Sequence, residues 1–260
     1  MKPVAFDLAA PATLAEAAAL LAQPGAMAMA GGQSLGPMLN LRLARPELIV
    51  RLNAIPGLAG VAEDAESVII GALVTHAAIA DGRAPDPGHN VLARAAEGIA
   101  YRAVRNRGTI GGSLCHADPA ADWPTVLTAL GASVLTSSGR RIAMTDFIAG
   151  AFRTVLARGE LVASVRIPRL PAGAGWGYAK ACRKPGEFAH AMAAALTDGA
   201  RTRLVIGATG GKPVLLHDAD ATEQGARDAA LAAGLDPVAA HIQSVMARRA
   251  LQQAREGARA

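Results

Sequence analysis

The stretch RNRGTIGGSLCHADPAAD, residues 105–122, holds three glycines, two aspartates, a histidine and a cysteine within eighteen residues. Its centre, TIGGSL (109–114), places paired glycines directly before a small hydroxyl residue. A second stretch of the same kind, AGGQSL, stands at residues 30–35. We interpret both as a strand, paired glycines, a hydroxyl residue and then a helix. Two such segments in one chain suit a diphosphate that is held between two subdomains.

Paired glycines let the backbone adopt conformations that are closed to other residues, and they let a ligand approach closely. Successive backbone N–H groups near a helix start favour an anion, and Ser34, Thr109 and Ser113 add hydroxyl donors. Neither segment fits the Walker or the GxGxxG pattern, and short glycine motifs are weak signals. Two interpretations therefore remain, namely tight turns without a ligand and a phosphate site, and the repetition favours the second.

Two aspartates follow the second glycine pair. We expect a helix that opens at Pro119 with Asp118 as its N-cap. Asp122 has no such capping role, so it is the better candidate to accept hydrogen bonds from ribose or ribityl hydroxyls or from a flavin N–H. We expect Cys115 to be a small buried thiol and His116 a loop histidine, because no further Cys/His cluster completes a metal site.

Composition narrows the class of protein. The 260 residues are 52% apolar and 18% charged, which is typical of a folded chain with two or three small domains. The net charge of +5 invites a nucleic-acid role, but the arginines are scattered singly and no basic run interleaves with aromatics. The pattern therefore favours a solvated basic surface over nucleic-acid binding, and a patch that docks an acidic protein stays open as an alternative.

Cysteine usage and hydropathy indicate the compartment. Cys115 and Cys182 are the only cysteines, which indicates a reducing, cytoplasmic environment and excludes an iron–sulfur cluster held by this chain alone. Asp7, Pro11 and Glu16 interrupt any signal-peptide core. No apolar run approaches the ~20 residues that span a bilayer, so we expect no integral membrane segment.

Periodicity predicts the remaining elements. Helices and strands alternate through Asp146, which indicates α/β units. Thr13 and Glu16 form a capping box at the start of an early helix. VLARAAEGIAYRAVRN (91–106) is predicted to be one helix, and LVASVRIPRLPAGAG (161–175) a Pro/Gly-rich linker.

In the C-terminal part, the Asp198–Gly199 dipeptide predicts a hairpin turn. The last helix is predicted to bury one face made of Val238, Ile242, Val245 and Met246.

Several segments in sequence order resemble the FAD-binding medium subunits of molybdenum hydroxylases, in particular the carbon monoxide dehydrogenase medium-subunit type, which is related to the flavin domain of xanthine dehydrogenase. They include AGGQSLGPMLNLRLARPELIVRLNAIPGL, VRNRGTIGGSLCHADPAADWP and KACRKPGEFA. The resemblance implies an α+β fold: a PCMH-type (vanillyl-alcohol-oxidase-like) two-subdomain FAD-binding fold and a small C-terminal α+β domain of the CO dehydrogenase flavoprotein type. We assign the two FAD-binding subdomains to 1–56 and 57–170 and the C-terminal domain to 171–260.

The resemblance also implies which residues contact a noncovalent FAD, and it implies no catalytic residue and no metal ligand in this chain. The implied contacts are Ala28, Met29, Ala30, Gly31, Gly32, Gln33, Ser34, Leu35, Ile99, Ala100, Thr109, Ile110, Gly111, Gly112, Ser113, Asp118, Asp122, Leu161, Val162, Lys180 and Phe188. Among these, Leu161 or Val162 is expected against the ring. Lys180 is expected at the isoalloxazine, where its charge favours anionic reduced flavin. Arg51 departs from the aspartate usual in the family.

The implied partners are a small subunit with two [2Fe–2S] clusters and a large molybdopterin subunit, in a dimer of heterotrimers (a heterohexamer). Electrons would pass from the molybdenum subunit through the clusters to this FAD and on to an external acceptor. A self-standing PCMH-fold flavin oxidase is the alternative enzyme, disfavoured because the C-terminal part is small and no attachment histidine matches. A basic binding module without enzymatic function is disfavoured by the two glycine pairs.

Overall fold

The computed structural model describes residues 2–199 and 201–258, which form three β-sheets, one two-stranded ribbon and ten α-helices. The strands are β1 (Asp7–Ala9), β2 (Ala26–Met29), β3 (Leu48–Arg51), β4 (Val61–Glu63), β5 (Ser67–Gly71), β6 (Ser133–Thr136), β7 (Arg141–Ala143), β8 (Ile148–Gly150), β9 (Arg153–Thr154), β10 (Val162–Pro168), β11 (Gly175–Ala181), β12 (Ala191–Thr197), β13 (Thr202–Gly207) and β14 (Val214–His217). The helices are α1 (Leu14–Leu21), α2 (Leu35–Asn40), α3 (His76–Ala80), α4 (Val91–Glu97), α5 (Arg102–Arg105), α6 (Ile110–His116), α7 (Asp122–Ala129), α8 (Met144–Phe147), α9 (Glu223–Ala232) and α10 (Pro237–Gly257).

The first sheet is parallel, in the order β1-β3-β2, and α1 and α2 connect its strands. The predicted capping box at α1 is confirmed in its first half: the Glu16 N–H donates to Thr13 Oγ1 (3.1 Å), whereas Glu16 Oε2 accepts from the Ala12 N–H (2.9 Å) and not from that of Thr13. Because β2 ends at Met29 and α2 begins at Leu35, the first glycine pair lies at the carboxyl end of a parallel strand. Arg51 ends β3 on the exposed surface, so no buried charge pair forms there.

The second sheet is antiparallel, in the order β4-β5-β10-β6-β7. Its central strand, β10, pairs with β5 on one side and β6 on the other. The predicted linker at 161–175 is therefore wrong over most of its length, because Val165 and Ile167 are fully buried within this strand. The prolines and glycines that suggested a linker mark only the end of β10 and the connection to β11.

The predicted helix over 91–106 is broken into α4 and α5. The residues between them, 98–101, form a loop in which Ala100 takes a left-handed conformation (φ 44°). Such a conformation is uncommon for a residue other than glycine, and the surroundings must hold it in place. This loop lies at the candidate site described below.

The third sheet, β11-β12-β13-β14, is antiparallel and carries α9 and α10 on one face. The predicted hairpin at Asp198–Gly199 is confirmed, since this dipeptide follows β12 and leads to its partner β13. A Cβ atom at Gly177 would stand 2.8 Å from the Ala250 carbonyl carbon and closer to its oxygen. The glycines of β11 and the alanines of α10 thus allow a very close helix–sheet contact.

The predicted buried face of α10 is wrong in part. Val238 is 69% exposed and Ile242 is 37% exposed. The residues that α10 buries are Ala240, Gln243, Ser244, Met246, Ala247, Ala250, Leu251 and Ala254. The prediction from periodicity relied on the large apolar side chains of α10. The interface instead buries mostly small side chains, because the glycines of β11 allow the helix to approach closely.

One hydrophobic cluster joins the second and third sheets. Trp123 and Val126 of α7 pack in the same cluster as Ala194 of β12 and Val205 of β13. Helix α7 is therefore enclosed between the central part of the chain and the C-terminal sheet. None of the helices in residues 2–199 and 201–258 combines the length and the apolar character needed to cross a bilayer.

Candidate functional site

The two glycine segments lie against each other. A Cβ atom at Gly31 would stand 2.6 Å from the carbonyl carbon of Arg107 and closer to its oxygen. A Cβ atom at Gly112 would stand 3.4 Å from Cβ of Ala30. Gly31 therefore permits an approach that any side chain would prevent, and residues 30–35 and 107–113 form one continuous surface.

The first segment presents free backbone donors. Among the described residues, the backbone N–H groups of 31–35 have no intrachain acceptor, and Gly32 is in the left-handed region with φ 70°. Ser34 precedes α2 without a side-chain capping bond, so its hydroxyl is also uncommitted. Successive N–H groups of this kind around a left-handed residue form an anion-binding concavity.

The second segment is built differently, and the strand predicted before it is wrong. Thr109 caps α6 by accepting from the Gly112 N–H (3.1 Å), so both glycines lie in the first turn of a helix that follows α5. The Gly111 N–H donates to the carbonyl oxygen of Ala72 (2.9 Å), and a Cβ atom at Gly111 would stand 2.5 Å from Cβ of Ala72. Gly111 therefore serves close packing, whereas Gly112 faces the first segment.

The remaining residues of the second segment differ in what they leave available. Ile110 is fully buried, and its N–H donates to the carbonyl oxygen of Val74 (3.1 Å). Ser113 is half-buried, and its hydroxyl makes no hydrogen bond within the described chain. The backbone donors for an anion thus come from residues 31–35, and the second segment offers mainly the Ser113 hydroxyl and a surface without side chains at Gly112.

The predicted capping role of Asp118 is wrong. Asp118 Oδ1 accepts from the Ala120 N–H (2.9 Å) in a local turn, and α7 begins only at Asp122. Asp122 also has a structural role, because its side chain is only 5% exposed. A carboxylate that is so deeply buried requires partners.

Those partners come from the C-terminal sheet. Asp122 Oδ1 accepts from the Lys180 ammonium (2.9 Å) and from the Tyr178 hydroxyl (2.6 Å), and Lys180 Nζ also donates to the carbonyl oxygen of Gly98 (3.0 Å). Burial, and then the Asp122 charge, raise the pKa of Tyr178 well above its usual value. Lys180, which is 10% exposed, therefore does not present an unpaired ammonium.

The loop over 98–101 completes this part of the site. Arg105 Nη1 donates to the carbonyl oxygens of Ile99 (3.0 Å) and Ala100 (2.7 Å). A Cβ atom at Gly186 would stand 2.9 Å from the carbonyl carbon of Ala100, so the loop after β11 presses on it. The structure thus gathers Ile99, Ala100, Asp122 and Lys180 in one place.

The other predicted contacts are divided between buried and exposed positions. Leu161 and Val162 are buried in two different hydrophobic clusters, so a ring contact at either position rests on the resemblance alone. Phe188 is 60% exposed. Cys115 and His116 lie on α6 and not in a loop: Cys115 is exposed, and the His116 ring packs on Phe152 with 5.2 Å between ring centroids.

One buried residue near both segments escaped the sequence analysis. His76, at the start of α3, accepts a hydrogen bond at Nδ1 from Trp123 Nε1 (3.1 Å), and its ring lies against Gly108. Burial, helped by the charge of Arg105, lowers the pKa of His76 to about 4. The neutral His76 ring therefore contacts both Gly108, which precedes Thr109, and Trp123, which follows Asp122.

This histidine should make stability depend on pH. Its pKa falls from 6.5 to about 4 on folding, so the unfolded chain takes up the proton first, and stability declines as the pH drops below 6.5. Between pH 7 and pH 5, where most carboxylates stay ionised, we expect a loss of about 2 kcal/mol in the free energy of unfolding. Urea unfolding at both pH values measures this loss.

His76→Asn is the matched variant, because asparagine keeps an acceptor for Trp123 but does not titrate. Its free energy of unfolding should change much less between pH 7 and pH 5 than that of the original chain. An equal loss in both proteins would assign the acid sensitivity to other groups.

Comparison with known proteins adds to this geometry. The family model described as the FAD binding domain in molybdopterin dehydrogenase matches residues 4–170. The 6-hydroxypseudooxynicotine dehydrogenase complex subunit alpha of Paenarthrobacter nicotinovorans is 40% identical over 201 residues, covering 75% of this chain and 68% of that protein. The carbon monoxide dehydrogenase medium chain of Hydrogenophaga pseudoflava is 40% identical over 201 residues, covering 74% and 68%. In the solved structure of carbon monoxide dehydrogenase from Hydrogenophaga pseudoflava, one chain matches with a TM-score of 0.88, at 32% identity over 99% of both chains.

Proposed function

The chain belongs to the family of FAD-binding domains of molybdopterin dehydrogenases, and from this premise we propose that it is the FAD-carrying medium subunit of a molybdenum hydroxylase complex. In that role it takes electrons from a [2Fe–2S] subunit and passes them to an external acceptor. Substrate oxidation takes place on a large molybdopterin subunit. The carbon monoxide dehydrogenase medium chain and the dehydrogenase complex subunit among its relatives support this role.

One observation carries the proposal: two glycine segments, one after β2 and one at the start of α6, meet, and the first of them has a run of free backbone donors. FAD fits this arrangement because its diphosphate needs several donors and a surface without side chains. Residues 31–35 would hold the diphosphate, with Ser34 and Ser113 as hydroxyl donors. Gly112 would leave room beside them.

The buried group of Asp122 and Lys180 suits the polar part of a flavin. Asp122 Oδ2 makes no hydrogen bond within the described chain, and one ammonium N–H of Lys180 is likewise uncommitted. When bound, FAD supplies electron transfer in steps of one or two electrons, which lets it connect iron–sulfur carriers with diverse acceptors. The chain's own residues then bind and orient the cofactor.

We further propose the assembly and the location. A small [2Fe–2S] subunit and a large molybdopterin subunit join this chain in a dimer of heterotrimers. Within this chain, the two FAD-binding subdomains span 1–56 and 57–170, and the C-terminal domain spans 171–260. Cys115 and Cys182 are free thiols, which supports a reducing, cytoplasmic environment and leaves the clusters to another subunit.

Affinity purification through a tag on this chain from its source organism tests the role. We expect two further polypeptides, together with iron, molybdenum and FAD in one particle by gel filtration and elemental analysis. A single-subunit flavoprotein that oxidises a substrate without iron or molybdenum would support the self-standing oxidase instead.

A further inference from the structure

Tyr178 is one of only two tyrosines in the chain, and neither the glycine segments nor the family resemblance pointed to it. It lies on β11, is half-buried, and packs against the hydrophobic cluster that contains Trp123 and Val126 of α7. Its hydroxyl is 2.6 Å from Asp122 Oδ1. That length lies in the range of an O–H···O⁻ hydrogen bond to an ionised carboxylate, which is stronger than a neutral one.

The hydrogen bonds of Asp122 are distributed unequally between its two oxygens. Oδ1 accepts from both Tyr178 and Lys180, whereas Oδ2 accepts from neither. With Oδ1 held by two donors from one strand, the carboxylate plane is fixed. Oδ2 and one N–H of Lys180 then remain as an adjacent acceptor and donor, on side chains that are at most 10% exposed.

Building on the proposed function, we infer that Tyr178 is a positioning residue for the flavin: it orients Asp122 so that Oδ2, beside Lys180, meets a polar edge of the cofactor. An acceptor next to a donor is complementary to an N–H next to a carbonyl group, which is the pattern on the pyrimidine edge of an isoalloxazine. The C-terminal sheet thereby takes part in cofactor binding, although the FAD-family match ends at residue 170.

The test compares Tyr178→Phe with Thr202→Val in the full chain. Thr202 lies on β13 of the same sheet, is half-buried, and its hydroxyl donates to Thr197 Oγ1, so its removal serves as the matched control. FAD affinity is measured by flavin fluorescence on apoprotein, and the thermal midpoint of the apoprotein is measured in parallel. We expect Tyr178→Phe to weaken FAD binding roughly tenfold and to shift the visible bands of the bound flavin, with no change for Thr202→Val.

A purely structural role would lower the thermal midpoint of Tyr178→Phe and leave both its FAD affinity and its flavin spectrum unchanged, which would overturn the inference. Asp122→Asn supplies the second criterion. If Tyr178 acts through Asp122, adding Tyr178→Phe to Asp122→Asn should weaken FAD binding little further. A full additional tenfold loss in that background would show that Tyr178 acts by another route.

If Tyr178→Phe does not fold, 3-fluorotyrosine is incorporated into the Tyr101→Phe chain, where Tyr178 is the one tyrosine left and is therefore the one residue altered. Compared with the same variant that contains ordinary tyrosine, the stronger donor should shift the absorption bands of bound flavin. Unchanged bands would count against the inference. A failure of the proposed function is distinguishable, since the unmodified chain would then bind no FAD at all.

Discussion

Gly31→Ala should lower FAD affinity by a factor of about 100, because the free N–H groups of 31–35 would lose their place beside the second segment. The new Cβ atom would overlap the backbone carbonyl group of Arg107, which, unlike a side chain, cannot rotate away. The two segments must therefore separate. Losing two hydrogen bonds to a charged diphosphate at about 1.5 kcal/mol each gives an effect of this size.

Gly36→Ala is the matched control. Gly36 lies in the first turn of α2, close to the same segment, and a Cβ atom there would meet nothing within 4 Å. This variant should bind FAD as the original chain does, and helix propensity predicts slightly higher stability. Titration of both apoproteins with FAD, after circular dichroism has shown that each is folded, measures the difference. Equal affinities would remove Gly31 from the site.

Lys180→Met should destabilise the chain by about 3–5 kcal/mol, since it leaves the Asp122 carboxylate buried without its cationic partner. The ion pair is 2.9 Å long, and both side chains are almost inaccessible. The hydrogen bond from Tyr178 remains, but it does not neutralise the charge. This outcome differs from the effect of a free lysine at a flavin, which would change mainly the reduction potential.

Two further variants locate the cause. Lys180→Met combined with Asp122→Asn removes both charges and should recover most of the lost stability. Lys184→Met, at an exposed lysine four residues later, should change the free energy of unfolding by less than about 0.5 kcal/mol. Urea unfolding of the four proteins gives the values. A Lys180→Met chain as stable as Lys184→Met would contradict the buried pair.

A local signal in the sequence predicted the start of the first helix. Thr13 caps α1 as a hydroxyl cap should, because its side chain accepts from the backbone N–H of Glu16, three residues on. The repetition of the glycine segments also predicted that both contribute to one site, and the two segments do meet. What the sequence could not show is the difference between them. The N–H groups of Ile110 and Gly111 are occupied because they donate to the carbonyl oxygens of Val74 and Ala72, far away in the chain, whereas those of 31–35 are free.

The errors have physical causes of the same kind. The prolines at the end of β10 predict a linker, whereas the burial of this strand depends on pairing with β5 and β6, far away in the chain. Tyr178 was within reach of sequence reasoning: Tyr178 and Lys180 are two residues apart, which places them on one face of a strand. The carboxylate they share belongs to α7, and only the tertiary fold brings it there.

Acid extraction of FAD from the chain purified in its complex, with quantification per mole of chain, tests most directly whether residues 30–35 and 107–113 form one cofactor site. The structure predicts one FAD per chain in the original protein and in Gly36→Ala, and a strongly reduced content in Gly31→Ala. A folded chain in an intact complex that contains no FAD and takes none up on reconstitution would contradict the assignment.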